Sequence, residues 1–237
     1  MSNKFYRTGE QRGARVADLF GAIAPRYDLI NDIQSLGLHR RWKNMLVRMA
    51  AVKKGTKALD LCCGTGDIAF ALTRAGAEVI GLDFSPAMLE VARARAQRTG
   101  SATQFIAGDA QHIPFEDGTF DIVTVGYGLR NLSSWERGIE EMYRVARPGG
   151  RILSLDFGKP ELVLWRRIYF AYLKLAVPIM GKIFCHDFEA YAYILESLKI
   201  YPGQGAVTEK LKSMTCREVI QRDLIGGAMS LHFAQKS

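Results

Sequence analysis

Cysteine is scarce in this chain, with four in 237 residues. Cys62 and Cys63 are adjacent, and Cys185 and Cys216 stand alone. Neither a disulfide framework nor zinc-ligand spacing is present, so a reducing compartment and no bound metal are expected. The chain also lacks any uncharged apolar run of about 18 residues, which excludes an ordinary membrane-spanning helix. The residues ahead of the first helix are polar and lack the apolar centre of a signal peptide. Together these absences set the expectation of a cytoplasmic protein. Internal repeats and low-complexity tracts are missing too. Basic residues outnumber acidic ones, 32 to 24, for a net charge of +8. They never gather into one long run, so an anionic surface or substrate is expected and a nucleic acid is not.

What is present is apolar material for a sizeable core, 48% of the residues, with 24% charged. Its periodicity organises the chain. Val16, Leu19, Phe20 and Ile23 follow helical spacing until Pro25, and Trp42, Met45, Leu46 and Met49 repeat it. Short buried strands are expected at Ala58–Leu61, Val79–Leu82, Thr103–Ile106, Phe120–Val125 and Arg151–Leu155, the last after a turn at Pro148-Gly149-Gly150. Helices are expected at Ile68–Ala75, Pro86–Thr99 and Ser134–Val145. Alternating strands and helices imply an α/β fold with a doubly wound, mostly parallel sheet, whose ligands sit at the carboxyl ends of the strands. Residues 157–200 break the rhythm and read as a helical, aromatic and basic insertion. Arg217–Leu224 and Ala228–Phe233 read as an antiparallel hairpin through Gly226-Gly227. The expected organisation is an N-terminal helical cap over residues 1–50 and a ligand-binding domain over 51–237, with a lid insertion at about 157–200.

Gly64-Thr65-Gly66 follows the first strand and opens a helix, where glycines allow a tight turn and close approach of a ligand. By itself that turn suits a dinucleotide equally well. The carboxylates discriminate. Asp67 follows the second glycine, where it would repel a phosphate, and Asp60 lies at the end of the strand. Two acids there suit S-adenosylmethionine, which carries an amino group and a sulfonium. Asp83, ending the second strand, is placed to accept from both ribose hydroxyls. Asp109, after the third strand in Gly108-Asp109-Ala110, is placed to meet the adenine amine. Each acid alone reads as a helix cap or turn residue; the series points to the cofactor.

The stretches LDLCCGTGD, GLDFSPAML, GDAQHIPF, FDIVTVGYGLRNL and EMYRVARPGGRIL resemble the class I methyltransferases, whose Rossmann-like fold is thereby implied. More narrowly, the chain resembles the ubiquinone and menaquinone biosynthesis C-methyltransferases over residues 16–235. That closer likeness lies in Tyr27-Asp28-Leu29-Ile30-Asn31-Asp32, Ser35-x-Gly37-x-His39-Arg40-x-Trp42-Lys43, Gly128-Leu129-Arg130-Asn131 and Glu141-Met142-Tyr143-Arg144-Val145. The resemblance implies S-adenosylmethionine contacts at Thr65, Asp83, Asp109 and Ala110, and a reaction centre at Arg130 and Asn131. Asp60, Gly64, Gly66, Phe84 and Gly126 complete the expected cofactor set. The implied reaction is C-methylation of a polyprenylated quinol precursor, leaving S-adenosylhomocysteine. Cys62 stands where many methyltransferases have glycine.

Methyl transfer to a ring carbon requires a hydroxyl that loses its proton and a ring held in line. Arg130 would stabilise the developing phenolate, although an ion pair with a sheet-end carboxylate such as Asp156 is the plainer reading of this arginine. Asn131 would orient a hydroxyl or a water. Asp28, His39, Tyr127 and His186 are candidates for the proton traffic, since an arginine is a poor base. In residues 159–177, Lys159, Arg166, Arg167 and Lys174 share one arc of a helical wheel, while Trp165, Ile168, Tyr169, Tyr172, Leu173 and Ala176 cover the rest. That helix suits either a lid or a membrane interface. Gly21 and Gly37 are candidate hinges. A homodimer or a biosynthetic assembly is compatible with the sequence. The alternatives to a quinol enzyme are a methyltransferase for another small aromatic or lipid acceptor and a non-catalytic cofactor-binding scaffold. An Asn-Pro-Pro-aromatic tetrapeptide, which an amino-methylating nucleic-acid enzyme would carry after strand four, is absent.

Overall fold

The computed structural model describes residues 21, 24, 27–185 and 189–237. Its centre is a seven-stranded sheet in the order β3-β2-β1-β4-β5-β7-β6. The strands are β1 (Lys57–Leu61), β2 (Glu78–Asp83), β3 (Gln104–Ala107), β4 (Phe120–Gly126), β5 (Ala146–Phe157), β6 (Cys216–Leu224) and β7 (Met229–Lys236). β1 to β5 pair in parallel, and β7 enters antiparallel between β5 and β6. The central strands are buried on both faces, so they read as unbroken apolar runs rather than alternating ones. Ala58, Leu59, Val123 and Leu153 are fully enclosed.

Helices α1 (Tyr27–Ser35) and α2 (Leu38–Ala50) precede the sheet. Between them Gly37 takes φ +75°, a left-handed turn that glycine makes without strain. α3 (Asp67–Arg74), α4 (Pro86–Thr99) and α5 (Trp135–Val145) connect the parallel strands. α4 starts where Ser85 Oγ accepts from the Met88 amide and Pro86 supplies a preset φ, and it stops at left-handed Gly100. α6 (Val163–Cys185), α7 (Glu189–Ile200) and α8 (Gln204–Lys212) follow β5.

The chain lays down β1, β2 and β3 in one direction and then returns to place β4 on the other side of β1. That reversal leaves a crevice above the carboxyl ends of β1 and β4, where the connections part in opposite directions.

All seven expected strands are present, each within a few residues of its anticipated limits. Two differences have physical causes. Pro148-Gly149-Gly150 belongs to β5 instead of preceding it, because the ladder against β4 absorbs these residues in a bulge between Phe120 and Ile122, with Gly149 at φ +75°. α8 lies in a stretch where no element was anticipated; only Val207 and Leu211 of its apolar residues are buried, a short signal. The helix expected across Val16–Ile23 lies outside the described residues, apart from Gly21, and α1 begins at Tyr27. Lys159, expected on the basic arc, precedes α6.

Candidate active site

The turn after β1 begins with Cys62 at φ +50° and continues through Gly64 at φ +55° and Gly66 at φ +90°. The left-handed backbone at Cys62 explains why a glycine suits this position, and the side chain bears a local cost of about 1–2 kcal/mol. Gly66 must lack a side chain: a Cβ there would come within 2.8 Å of both Phe70 and Phe105. A Cβ at Gly126, ending β4, would meet Ile68 at 2.4 Å. A Cβ at Gly64 would meet nothing within 4 Å, so its backbone faces open space.

The acids at the strand ends have distinct surroundings. Asp83 accepts from the Gly64 amide at 2.7 Å and the Ser85 amide at 2.8 Å, tying the two loops together. Burial raises its pKa, and the amides of Ser85, Gly64 and Phe84 oppose the rise. Asp67 receives Lys43 Nζ at 2.8 Å and Arg95 at 2.9 Å. Burial raises its pKa, but these two cations outweigh it and bring it down to about 2. The charge of Asp67 is therefore met within the protein, while the residue lines the same small cavity as Asp60. Arg95 also reaches Asp28 at 3.0 Å and the Thr65 carbonyl at 2.9 Å, and Thr65 Oγ1 donates to Asp28 at 2.7 Å. This network joins α1, α2 and α4 to the glycine turn.

Asp60 is different. It is 1% exposed, and Thr124 Oγ1 donates to its Oδ1 at 2.7 Å. Its Oδ2 is buried and lacks a hydrogen-bond partner of good geometry among the described residues. Burial raises its pKa to about 7, against the opposing pull of the Thr124 hydroxyl, the Ala69 amide and Lys43. A buried acceptor in that state fits an incoming cationic donor. Asp60 lines a small polar cavity of about 30 Å³ with Lys43, Gly64, Thr65, Gly126 and Tyr127. The orphaned oxygen and the bare glycine backbone fit the amino-acid end of S-adenosylmethionine. Further along, Phe84 is half exposed and Ala110 buried. Asp109 accepts from the Gln111 amide at 2.9 Å and side chain at 3.2 Å, shaping the loop after β3.

A second, larger cavity of about 570 Å³ lies beside the first, with an almost wholly apolar lining that includes Leu38, Trp42, Phe157, Leu173 and Met229. Its size is that of a site for a drug-sized ligand. α6 closes one side through Tyr172, whose hydroxyl donates to the Gln34 carbonyl at 2.8 Å, and Trp165, whose Nε1 donates to the Ile225 carbonyl at 2.9 Å. Tyr127 lines both cavities. It sits at φ +62°, just beyond β4, with its ring edge-on to Phe157 at 5.7 Å.

Arg130 and Asn131 form the short 3-10 turn after Tyr127. Arg130 is 3% exposed and pairs with Asp156 of β5 at 2.6 Å. It also donates to the Tyr127 carbonyl at 2.8 Å and the Tyr193 hydroxyl at 3.1 Å, and stacks on Phe157 at 4.5 Å. Asn131 donates to the same Tyr127 carbonyl at 3.2 Å. Neither side chain lines either cavity; both brace the backbone of the tyrosine that does. Of the proton-transfer candidates, Asp28 serves the glycine turn, His39 lines the apolar cavity, and His186 lies outside the described residues. Lys43, Arg95 and Asp32, the partner of His39, escaped sequence reasoning. Among the described residues, no group of three or more histidine, cysteine or acidic side chains could hold a metal.

Sheet order, glycine turn and strand-end acids define a class I methyltransferase. The fold matches a SAM-dependent methyltransferase from Aquifex aeolicus with a TM-score of 0.59 at 18% identity, covering 82% of this chain and 89% of that one. Residues 7–236 match the ubiE/COQ5 methyltransferase family, to which the chain belongs. It is 39% identical over 227 residues to the demethylmenaquinone methyltransferase of Paenarthrobacter aurescens, covering 96% of this chain and 88% of that protein. It is 36% identical over 227 residues to the ubiquinone/menaquinone biosynthesis C-methyltransferase UbiE of Azotobacter vinelandii, covering 94% and 90%. The chain is thus an S-adenosylmethionine-dependent methyltransferase.

Two outcomes follow from the buried charges. The folded protein holds a proton on Asp60 up to about pH 7, whereas the unfolded chain releases it near the ordinary carboxyl value. Between those values the native state binds more protons, so this residue's contribution to stability falls as pH rises. Asp60→Asn should therefore raise the melting temperature of the unliganded protein above pH 7, the gain shrinking towards pH 4, while weakening S-adenosylmethionine binding by calorimetry. In denaturant titrations, Asp156→Ala should cost about 3–5 kcal/mol, because it strands the Arg130 guanidinium.

Proposed function

We propose that the enzyme methylates a ring carbon of a polyprenylated quinol, demethylmenaquinol or a polyprenyl methoxy-benzoquinol, in quinone biosynthesis. The observation that carries this reading is the adjacency of a small polar cavity and a large apolar one across a single residue, Tyr127. The relatives named as quinone-pathway methyltransferases support it. S-adenosylmethionine, when bound, supplies an electrophilic methyl group. Asp60 Oδ2 receives the cofactor's amino group, the Gly64–Gly66 backbone borders its amino-acid end, and Asp83, with lone pairs left beyond its two amide contacts, accepts from the ribose. Phe84, Asp109 and Ala110 flank the adenine. The apolar cavity holds the acceptor ring and the first part of its chain, and excludes water from the reacting centre. Arg130 and Asn131 act as positioning residues by fixing Tyr127. α1 and α2 serve as a cap over the crevice and α6 with α7 as a lid.

We further propose that α6 rests on an anionic membrane. Leu164, Ile168, Leu175 and Ile179 are exposed at helical spacing, with exposed Arg167 and Lys174 along one edge. An apolar stripe edged by cations suits the headgroup boundary. Tyr172 and Trp165 of the same helix line the cavity, so a tail could enter from the bilayer. No helix among the described residues is long and apolar enough to cross a membrane.

With labelled S-adenosylmethionine and mass spectrometry of the product, label should appear on a polyprenyl naphthoquinol or benzoquinol ring carbon. Label on neither would overturn the acceptor assignment. Co-sedimentation with anionic vesicles should fall in high salt and in the double variant Arg167→Glu, Lys174→Glu; unchanged binding would remove the charged edge from the interface.

A further inference from the structure

His39 occupies an unusual position for a structural histidine. It sits in α2, 3% exposed, and lines the large, mostly apolar cavity. Its Nε2 lies 2.8 Å from Asp32 Oδ1, across the α1–α2 turn. Asp32 is held ionised by Arg40, whose Nε donates to Oδ1 at 2.6 Å, and its pKa is lowered to about 2. An ionised carboxylate accepts, so Nε2 carries the proton and donates it, which leaves Nδ1 as the nitrogen with the lone pair. That Nδ1 is buried and has no hydrogen-bond partner among the described residues. A carboxylate orienting an imidazole whose other nitrogen is unpaired, beside a substrate-sized cavity, is the arrangement of a general base.

We propose that His39 is the base that takes the proton from the acceptor's ring hydroxyl, with Asp32 as its positioning residue. This rests on the quinol reading above. The O–H bond of the acceptor breaks and its proton goes to Nδ1. The oxygen's electrons move into the ring, whose carbon forms the new bond to the methyl group, while the old methyl–sulfur electron pair stays on sulfur. The ring carbon then loses its own hydrogen to solvent as a proton. Nδ1 returns the first proton to the oxygen, so one proton is released per methyl transferred.

The charged and titratable groups around His39 are Asp32 on α1, Arg40 and Lys43 on α2, Asp67 on α3, and Tyr127, Tyr169 and Tyr172 around the cavity. Burial first, then Lys43, lowers the imidazole pKa, against Asp32 and Asp67. The neutral, basic form thus persists at neutral pH, and activity is lost as pH falls through a value below the ordinary histidine range.

The test compares wild type with His39→Gln and Asp32→Asn. His39→Gln should retain S-adenosylhomocysteine binding, lower kcat about 10²–10⁴-fold and abolish the acidic limb of the kcat/KM profile. Asp32→Asn should move that limb to lower pH, because the imidazolium loses its counter-charge. Imidazole should restore turnover to His39→Ala. A nitronaphthol, whose ionised form absorbs visible light, should ionise at lower pH when bound to wild type than when bound to His39→Gln; this readout needs no methyl transfer. An unmoved limb in Asp32→Asn, or equal nitronaphthol ionisation in wild type and His39→Gln, would overturn the proposal. Inactivity of wild type towards both quinols would instead overturn the acceptor reading.

Discussion

The buried pair of Arg130 and Asp156 fixes the β4–β5 side of the carboxyl edge. Its 2.6 Å contact joins the turn after β4 to the end of β5, and the same guanidinium reaches α7 through Tyr193. Neither member is more than 3% exposed, so each would be costly to bury without the other. The third contact of Arg130, to the Tyr127 carbonyl, gives the pair its importance. Tyr127 stands in left-handed backbone, a conformation that tyrosine does not favour and that its surroundings must impose. Arg130 and Asn131 converge on that one carbonyl and hold the ring where the two cavities meet.

A second constraint is the division of the strand-end acids. Asp83 is committed to the amides of two loops and Asp67 to Lys43 and Arg95. Among the described residues, Asp60 Oδ2 is buried without a hydrogen-bond partner of good geometry, at the topological reversal between β1 and β4. The acids look equivalent along the chain because each follows or ends a strand. Their surroundings separate them: Asp83 ties two loops, Asp67 anchors α2 and α4 to the glycine turn, and Asp60 is the most deeply buried.

Much of the fold was legible because buried parallel strands leave unbroken apolar runs bounded by glycine, proline and aspartate. Pro86–Thr99 could be read to the residue, since Ser85, Pro86 and Gly100 mark both ends. α8 left too short an apolar signal, and the bulge at Pro148–Gly150 resembles a turn until its partner strand is known. For the site, the strand-end acids and the Gly128–Asn131 turn were visible as motifs, but their pairings were not. Lys43 and Arg95 reach Asp67 from 24 and 28 residues away, a separation with no local signature. Asp32 and His39 were within reach of sequence reasoning, seven residues apart in one motif; what hid the pair was the Gly37 turn that brings two helices together.

In the proposed reaction the methyl group crosses beside Tyr127, from the polar cavity at Asp60 into the apolar cavity under α6. A crystal structure with S-adenosylhomocysteine and a quinol analogue tests it most directly. The homocysteine amino group is expected within hydrogen-bond distance of Asp60 Oδ2 and the acceptor ring beyond Tyr127, against Phe157 and within reach of His39. An amino group held elsewhere with Asp60 Oδ2 still unpartnered, or a ring bound outside the apolar cavity, would contradict it.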